Sequence, residues 1–417
     1  MILHVKRILI YANPARTIVC KIRLVVIGSV FFSSVMFLAS CNRDRAHDVK
    51  FTGNPGGQEG PPSETGPPLD PESWHVVPGD VLGEGNFWGY RVNARTTFRI
   101  PGGLGLFYSS HPGPVLQNDP DWRAIQADLG YTTGPSGSLA FTRDLITWND
   151  HPDNPVLNEV KRSWQTPYRV HVRDLYFDPE HNRWVSYFGN ICGEDVPGIR
   201  SVGVAYSYDL VHWEYADGPL FTIEDYAALV PDQIRATPEE LHEHGRVYAN
   251  WGMYFDGRYY LTLIGTETVG YRADDAQEGA GEFRSLESGS IVLAGESPEG
   301  PFEYLRDIGR NQIPPGSKPV YWDGKWYTVF AGSWDGQPGL GLAWSDHLFG
   351  EYNMNPQNPV VTLESTQRTN PILFEYDGTW VILFSRPGQA YFGRIQPLRM
   401  AVANIHPSVL MTKPPAN

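Results

Sequence analysis

The sequence is short of cysteines and of basic residues, and it has no apolar run of the length usual for a transmembrane helix. Three cysteines (Cys20, Cys41 and Cys192) among 417 residues exclude a disulfide scaffold and a cysteine-based zinc cluster. Lys and Arg number 33 against 47 Asp and Glu, a formal charge of −14. This balance argues against a nucleic-acid partner, because such affinity comes mainly from phosphate neutralisation. No phosphate loop, dinucleotide fingerprint or His-Glu-x-x-His metal motif is found.

Glycine, proline and aromatic residues are abundant. The chain has 43 Gly and 35 Pro, aromatic residues make up 13% and hydrophobic residues 41%. The hydrophobic content is enough for a large packed core and excludes disorder of the whole chain. Turn-forming and aromatic residues in this mixture favour many short strands joined by turns.

The N-terminal region predicts targeting and anchoring. Basic residues precede an apolar run at positions 24–38, which is typical of a signal peptide over residues 1–40. The run ends in Leu38-Ala-Ser-Cys41, which resembles a bacterial lipobox and predicts acylation (palmitate or a similar chain) of Cys41. An ordinary secretory signal or an uncleaved anchor are the alternatives. Residues 41–72 include a Gly/Pro-rich stretch and predict a flexible tether. These features predict a lipid-anchored protein of the bacterial envelope. Position 42 is Asn and not the Asp that retains many lipoproteins at the inner membrane, so the outer membrane or cell surface is expected.

Residues 73–417 contain one repeated unit, an apolar strand, a tight turn and a second strand rich in aromatic residues, followed by another hairpin. The first hairpin of each unit covers residues 95–109, 173–188, 251–261, 318–328 and 370–383. Two hairpins form a four-stranded antiparallel sheet, so five repeats predict an all-β, five-bladed β-propeller. A β-sandwich is the rival fold, but it does not explain five repeats. Only residues 232–244 predict a helix, with Thr237 as N-cap and Pro238 at its first position.

Loop insertions are expected on one face of this propeller. If the strands of a blade are A to D from the axis outward, the B–C and D–A loops lie on the face where the A strands begin. Most long insertions fall in those loops, at residues 111–136, 149–170, 220–247 and 267–289. Loops on a rigid scaffold are where sites are built. We call this side the funnel face and predict the functional site there.

The second repeat carries motifs of a known superfamily. Arg173-Asp174 begins its first strand, and Ser207-Tyr-Asp-Leu-Val-His-Trp213 forms its outer turn. Thr142-Arg-Asp-Leu-Ile-Thr-Trp148 repeats the outer turn in the first unit. These motifs resemble those of the invertase and arabinanase glycosidases, glycoside hydrolase families 32 and 43, and the chain is identified as a divergent member. The resemblance implies three carboxylates at the starts of the A strands of blades one, two and three.

Only blade two matches that carboxylate set. Asp174 takes the place of the transition-state stabiliser, whereas blade one has the Asn93 region and blade three Asn250 where the superfamily has its other two carboxylates. Substitutes must therefore come from the same face, since a glycosidase needs an acid and a second carboxylate. Glu267 is the candidate general acid and Asp119 a candidate loop carboxylate. For each of them an ordinary exposed or capping carboxylate is the alternative.

Polar and aromatic residues at the inner ends of strands complete the predicted site. Side chains expected to bind substrate are His171, Arg173, Trp164, Asn250, Trp251, Lys318, Trp334, Asn370 and Arg386. Polar groups of this kind fix sugar hydroxyls, and tryptophan rings stack on sugar faces. Hydrogen bonding along the axis, or burial in the core, is the alternative for each. No organic cofactor is implied. A central Ca²⁺ occurs in some relatives, although no loop here has a calcium-binding spacing.

Three functions are consistent with the sequence. The first is a membrane-anchored glycoside hydrolase that acts on an oligo- or polysaccharide through carboxylates at the funnel. The alternative is a non-catalytic glycan-binding surface lipoprotein with a degenerate glycosidase site, and the third is a propeller that binds protein. We expect a monomer with a carbohydrate substrate or ligand, a membrane contact through lipid on Cys41, and no nucleic acid.

Overall fold

The computed structural model describes most of the chain after residue 64. The described ranges are 65–79, 81–82, 91–111, 136–157, 170–191, 199–269, 282–285, 290–308, 318–365, 369–385 and 398–404. They form five antiparallel sheets with the strand order of consecutive propeller blades, which confirms the predicted fold class. In four blades the chain runs from the innermost strand outward. Blade five takes its outermost strand from the beginning of the described chain.

The strand bounds follow the chain. Strand β1 (Trp74–Val76) comes first, after a 3₁₀ turn at Pro71–Ser73. Blade one contains β2 (Arg91–Ile100), β3 (Gly103–His111), β4 (Ser136–Thr142) and β5 (Asn149–Asp150). Blade two contains β6 (Val170–Asp178), β7 (Arg183–Ile191), β8 (Ile199–Ser207), β9 (Glu214–Tyr215) and β10 (Phe221–Thr222). Helices α1 (Ile223–Leu229) and α2 (Pro238–His244) follow, with a 3₁₀ turn at Pro231–Gln233 between them.

The last three blades have the same construction. Blade three contains β11 (Arg246–Phe255), β12 (Arg258–Val269), β13 (Glu282–Ser285), β14 (Ser290–Gly295) and β15 (Phe302–Ile308). Blade four contains β16 (Val320–Trp322), β17 (Lys325–Trp334), β18 (Gln337–Ser345), β19 (Asn353–Met354) and β20 (Val361–Thr362). Blade five contains β21 (Ile372–Tyr376), β22 (Thr379–Ser385) and β23 (Leu398–Ala403), with β1 paired to β23.

Tight turns connect the first two strands of each blade. In blades three, four and five the turns are Asp-Gly pairs, and both residues have positive φ, for example 50° at Asp256 and 74° at Gly257. Such turns twist in the same sense as the strands and fix the hairpin register. All of these turns lie at the end of the propeller opposite the funnel face, which we call the back face.

The outer turns of blades one and two share one hydrogen-bond pattern. In blade one, Asp144 Oδ1 accepts from the backbone N–H groups of Ile146 and Thr147, at 2.9 and 2.7 Å. The Trp148 ring N–H donates to the Leu145 carbonyl. Residues 207–213 repeat each of these bonds in blade two. The repeated Asp-Leu-x-x-Trp sequence therefore builds one turn twice.

The insertion after blade two is helical. Helix α2 begins where predicted, with Thr237 as N-cap in a capping box with Glu240. Helix α1 was not predicted, although Thr222 and Asp225 form the same type of capping box before it. Among the described residues, no helix is long and apolar enough to cross a membrane.

Residues 65–73 pack against the propeller. The Trp380 ring N–H donates to the Thr65 carbonyl at 3.0 Å, and the Trp74 ring N–H donates to the Pro68 carbonyl at 2.9 Å. Leu69 packs partly buried against the hydrophobic cluster between blades four and five. The predicted tether boundary at residue 72 is thus corrected. Composition alone does not reveal that the last Gly/Pro-rich residues are held by buried tryptophans.

One hydrophobic cluster fills each junction between neighbouring blades. Their largest fully or nearly fully buried members include Phe188 (blades one and two), Tyr187 (two and three), Trp251 (three and four), Trp380 (four and five) and Tyr108 (five and one). Burial between blades is the main stabilising term of the fold, because apolar area leaves water there.

An ion pair joins blades one and five on the back face. Arg99 lies 2.9 Å from Glu375, whose side chain is only 4% exposed. We expect Arg99→Met to lower the free energy of unfolding by about 2–3 kcal/mol, because a buried carboxylate loses its partner. The exposed Arg258–Glu303 pair is the matched control, and Arg258→Met should cost less than about 1 kcal/mol. Denaturant unfolding checks both, and equal losses would contradict the assignment.

Candidate functional site

Three inner strands carry a β-bulge at the same position. The pairing register of β2, β6 and β11 shifts at Arg95, Arg173 and Asn250, each five residues before the strand ends. A bulge leaves one residue unpaired and re-aims the neighbouring side chains, and bulges are common next to active sites. The innermost strands of blades one to three are therefore built alike on the side facing the axis.

The bulges fix which residues are equivalent between blades. Asp174 directly follows its bulge, and the residues in the same place are Thr96 and Trp251. Asp174 is thus the one carboxylate at this position among the three bulged strands. The spacing in the sequence did not reveal this, because a bulge shifts the register without leaving a clear signal.

Asp174 is buried in a cradle made by three blades. Its side chain is 2% exposed, and Oδ2 accepts from the Gly252 backbone N–H at 2.7 Å and from Lys318 Nζ at 3.0 Å. Lys318 Nζ also donates to the Leu175 carbonyl at 3.2 Å. Lys318 precedes β16, so its side chain reaches from blade four to blade two in front of the inner strand of blade three. The ion pair therefore lies at the propeller axis.

Burial dominates the electrostatics of this pair. Desolvation raises the pKa of Asp174 above its ordinary value, while Lys318 and the Gly252 N–H favour the charged form and oppose that rise. The Lys318 side chain is 19% exposed, so the lysine is the member of the pair that contacts solvent.

Gly252 is a site residue that the sequence analysis missed. Its N–H lies closer to Asp174 Oδ2 than the Lys318 ammonium does, at 2.7 against 3.0 Å, and it has no room for a side chain. A Cβ at Gly252 would lie 2.4 Å from the Tyr187 ring. A glycine inside an inner strand often marks a close approach of another group, and that is the signal that could have located it.

The predicted aromatic platform is only partly found on the funnel face. Trp251 is 2% exposed and stacks on Phe349 with the ring centroids 6.4 Å apart, so the structure places it in the core. Its position after the bulge turns the side chain into the junction of blades three and four. Trp334 is half-buried at the funnel end of β17 and packs against Phe330. Its ring lies against Gly332 and Gly341, and its role in stacking on a sugar stays a prediction.

The remaining predicted residues fall into two groups. Asn250 is the half-buried bulge residue of β11, and Asn370 is half-buried before β21 with φ of 38°. Three predicted residues lie on strands, His171 and Arg173 on β6 and Glu267 on β12, where it pairs with Arg284 of β13. The structure describes the backbone of these three residues but not their side chains. The residues outside the described ranges are Cys41, Asp119, Trp164 and Arg386. Their roles stay predictions.

The described Asp174–Lys318 pair does not fit a calcium ion. The ammonium group of Lys318 lies 3.0 Å from Asp174 Oδ2, where a cation would bind the carboxylate. Within the described ranges, no group of three or more His, Cys, Asp or Glu side chains is arranged to hold a metal.

Comparisons with known proteins give similarity in fold. No protein-family model and no curated protein matches the chain. An α-L-arabinofuranosidase from Podospora anserina, solved with cellotriose, is 11% identical, covers 82% of this chain and 100% of its own, and gives a TM-score of 0.46. A family 117 glycoside hydrolase from the marine bacterium Zobellia galactanivorans is 12% identical over 81% of this chain and 91% of its own, with a TM-score of 0.47. A calcium-free family 43 β-xylosidase/α-arabinofuranosidase from a compost metagenome, solved with xylotriose, is 11% identical over 79% and 97%, with a TM-score of 0.44. At these identities the likeness is one of fold alone.

Proposed function

We propose that this protein is a glycoside hydrolase that acts on an oligo- or polysaccharide at the funnel face. The observation that carries the proposal is the Asp174–Lys318 pair at the axis, where the Gly252 N–H also binds Asp174, beside the bulges of three inner strands. A buried carboxylate with a raised pKa and one specific cationic partner is typical of functional sites.

Asp174 is proposed to act through its charge. Glycosidic bond cleavage passes through an oxocarbenium-like transition state, which a nearby negative charge stabilises. Asp174 does not reach bulk solvent, so the acid that protonates the leaving oxygen and the second carboxylate must come from the funnel-face segments. Glu267 is the proposed acid and Asp119 the proposed second carboxylate. Lys318 holds Asp174 ionised until positive charge develops on the sugar.

A non-catalytic glycan-binding lipoprotein is the second candidate. The strand register supports this candidate, because the positions equivalent to Asp174 hold no carboxylate in blades one and three, where Thr96 and Trp251 stand. A propeller with one buried carboxylate and a half-buried Trp334 could bind a sugar without cleaving it. Turnover separates the two candidates.

Membrane attachment is part of the proposal. The lipobox-like sequence ending at Cys41 supports acylation of that residue in a bacterial envelope. A carbohydrate-active domain behind such an anchor would act on glycans close to the cell.

A hydrolysis screen tests the proposed activity. The full-length protein is incubated with α-L-arabinosides, β-xylosides, fructosides, galactosides and algal oligosaccharides, and released reducing sugar is measured beside glycan binding. We expect turnover of at least one class. Binding without turnover would support the second candidate and contradict the enzyme.

A further inference from the structure

Tyr187 of β7 is a fully buried tyrosine that joins blade two to blade three. We infer that Tyr187 is a positioning residue of the axial site, because its ring holds Gly252 in the place from which the Gly252 N–H binds Asp174. The role in catalysis rests on the proposed function, whereas the contacts that define it do not.

Tyr187 touches the axial site from the side of blade two. Its backbone pairs with Asp174 across β6 and β7, so the two side chains leave the sheet on the same face. On that face the ring reaches Gly252 of β11, where an added Cβ would overlap two ring carbons. Ring and backbone are therefore in direct contact at the residue whose N–H lies 2.7 Å from Asp174 Oδ2.

Hydrogen bonds fix the far end of the ring. The Tyr187 hydroxyl donates to the Pro298 carbonyl at 3.0 Å, in the turn between β14 and β15 of blade three. The Tyr176 hydroxyl lies 3.1 Å away and must donate to Tyr187, because a tyrosine hydroxyl has only one proton to give. Burial raises the pKa of Tyr187, so its hydroxyl keeps that proton. The ring cannot leave Gly252 without breaking buried hydrogen bonds.

The bond from Gly252 is sensitive to this support. Burial raises the pKa of Asp174, and the Gly252 N–H is one of the groups, with Lys318, that oppose the rise. A hydrogen bond weakens steeply as its length and angle depart from the ideal. Tyr187 therefore acts on Asp174 through Gly252, which makes it a positioning residue and not a catalytic one.

Tyr259 is a matched control in the same hydrophobic cluster. It is also fully buried, but its hydroxyl donates to Asp178 Oδ1 at 2.6 Å, toward the back face. Burial raises the pKa of Asp178, and hydrogen bonds from Tyr259, Arg183 and His181 outweigh that effect and hold the pKa below its ordinary value. Tyr187 and Tyr259 thus serve different carboxylates of β6.

Carbon-13 NMR of the aspartate carboxyl groups measures both effects. The full chain is labelled at these groups, and Asp174→Asn and Asp178→Asn assign the two signals. Tyr187→Leu should raise the pKa of Asp174 and leave that of Asp178 near wild type. Tyr187→Phe keeps the ring but frees it from Pro298, so the pKa of Asp174 should rise by less. Tyr259→Phe should do the reverse, raising only the pKa of Asp178.

Gly252→Ala disturbs the same contact from the other side. Its methyl group would overlap the Tyr187 ring, so the pKa of Asp174 should again rise. In the double variant with Tyr187→Leu the smaller side chain makes room, and the rise should be less than the sum of the two single rises. Additive rises, or an unchanged Asp174 pKa in every folded variant, would overturn the positioning role. Tyr187→Phe keeps this test decisive if Tyr187→Leu does not fold.

Kinetics on the substrate found by the screen separate this inference from the enzyme proposal. Tyr187→Leu should lower kcat by about tenfold or more with little change in KM, because the charge of Asp174 acts on the transition state. Tyr259→Phe should leave kcat near wild type. Absence of turnover in the wild type would contradict the glycosidase, and the carboxyl titration would then decide on Tyr187 alone. Turnover with an unchanged kcat in Tyr187→Leu would contradict its role in catalysis.

Discussion

Replacing Lys318 by methionine is expected to destabilise the propeller by about 3–5 kcal/mol at neutral pH, the usual cost of leaving a buried charge without its partner. Asp174 is 2% exposed, and in the described part of the chain Lys318 is the cationic group that contacts its carboxylate. Methionine keeps much of the length of the side chain and removes the charge. Denaturant unfolding at pH 7 measures the loss.

The same variant should gain a pH dependence of known sign. Burial already raises the pKa of Asp174, and removal of Lys318 removes the largest opposing influence. The folded state then binds a proton that the unfolded state, with an ordinary aspartate pKa of about 3.9, has released. Stability must fall as the pH rises from about 4 through the raised pKa. The deficit relative to wild type should therefore be smaller at pH 4 than at pH 7.

A double variant provides the control for that result. Asp174→Asn with Lys318→Met removes both charges, and most of the lost stability should return, because no uncompensated charge stays buried. A loss below about 1 kcal/mol in Lys318→Met, or the same loss at both pH values, would show that the axial pair is not the buried ion pair described here.

Replacing Trp74 by alanine is the second large effect. The side chain is 6% exposed in the cluster between blades four and five, and it belongs to the strand that closes blade five. We expect a loss of about 3–5 kcal/mol, as for other buried aromatic residues cut to alanine. Trp74→Phe keeps an aromatic ring but loses the hydrogen bond to the Pro68 carbonyl. The lost hydrogen bond should lower the free energy of unfolding by about 1 kcal/mol, in addition to the effect of the smaller ring on packing.

Val76 on the same strand offers a matched control. It is 41% exposed, so Val76→Ala should stay within about 0.5 kcal/mol of wild type. Thermal and denaturant unfolding compare the three variants. Similar stabilities for Trp74→Ala and Val76→Ala would contradict the role of β1 in closing the ring.

Much of the fold could be predicted because its signals are local. Asp-Gly pairs set the first hairpin turn of three blades, the Asp-Leu-x-x-Trp sequence sets the outer turn of two, and the fivefold recurrence of the two-hairpin unit sets the architecture. Helix α2 was predicted from its N-cap and proline for the same reason. These signals depend only on residues a few positions apart.

The site was harder to predict because its contacts are distant in sequence. Lys318 and Asp174 lie 144 residues apart, and nothing local to either residue indicates that they pair. The bulges shift the register by one residue, which turned Trp251 into the core instead of the funnel. The resemblance to the glycosidase motifs singled out Asp174, and Lys318 was a substrate-binding candidate, but the sequence did not reveal that Lys318 and the Gly252 N–H bind Asp174.

Turnover of Asp174→Asn on the substrate found by the screen tests the central claim most directly. Asparagine keeps the size and one acceptor of the side chain but removes the charge, so kcat should fall by about 100-fold or more, as for loss of a transition-state charge interaction. Asp178→Asn is the control, since Asp178 is equally buried on β6 but binds Tyr259 and Arg183 at the back face. It should lower stability and leave kcat near wild type. Equal turnover of wild type and Asp174→Asn would contradict a carboxylate-dependent glycosidase site at the axis.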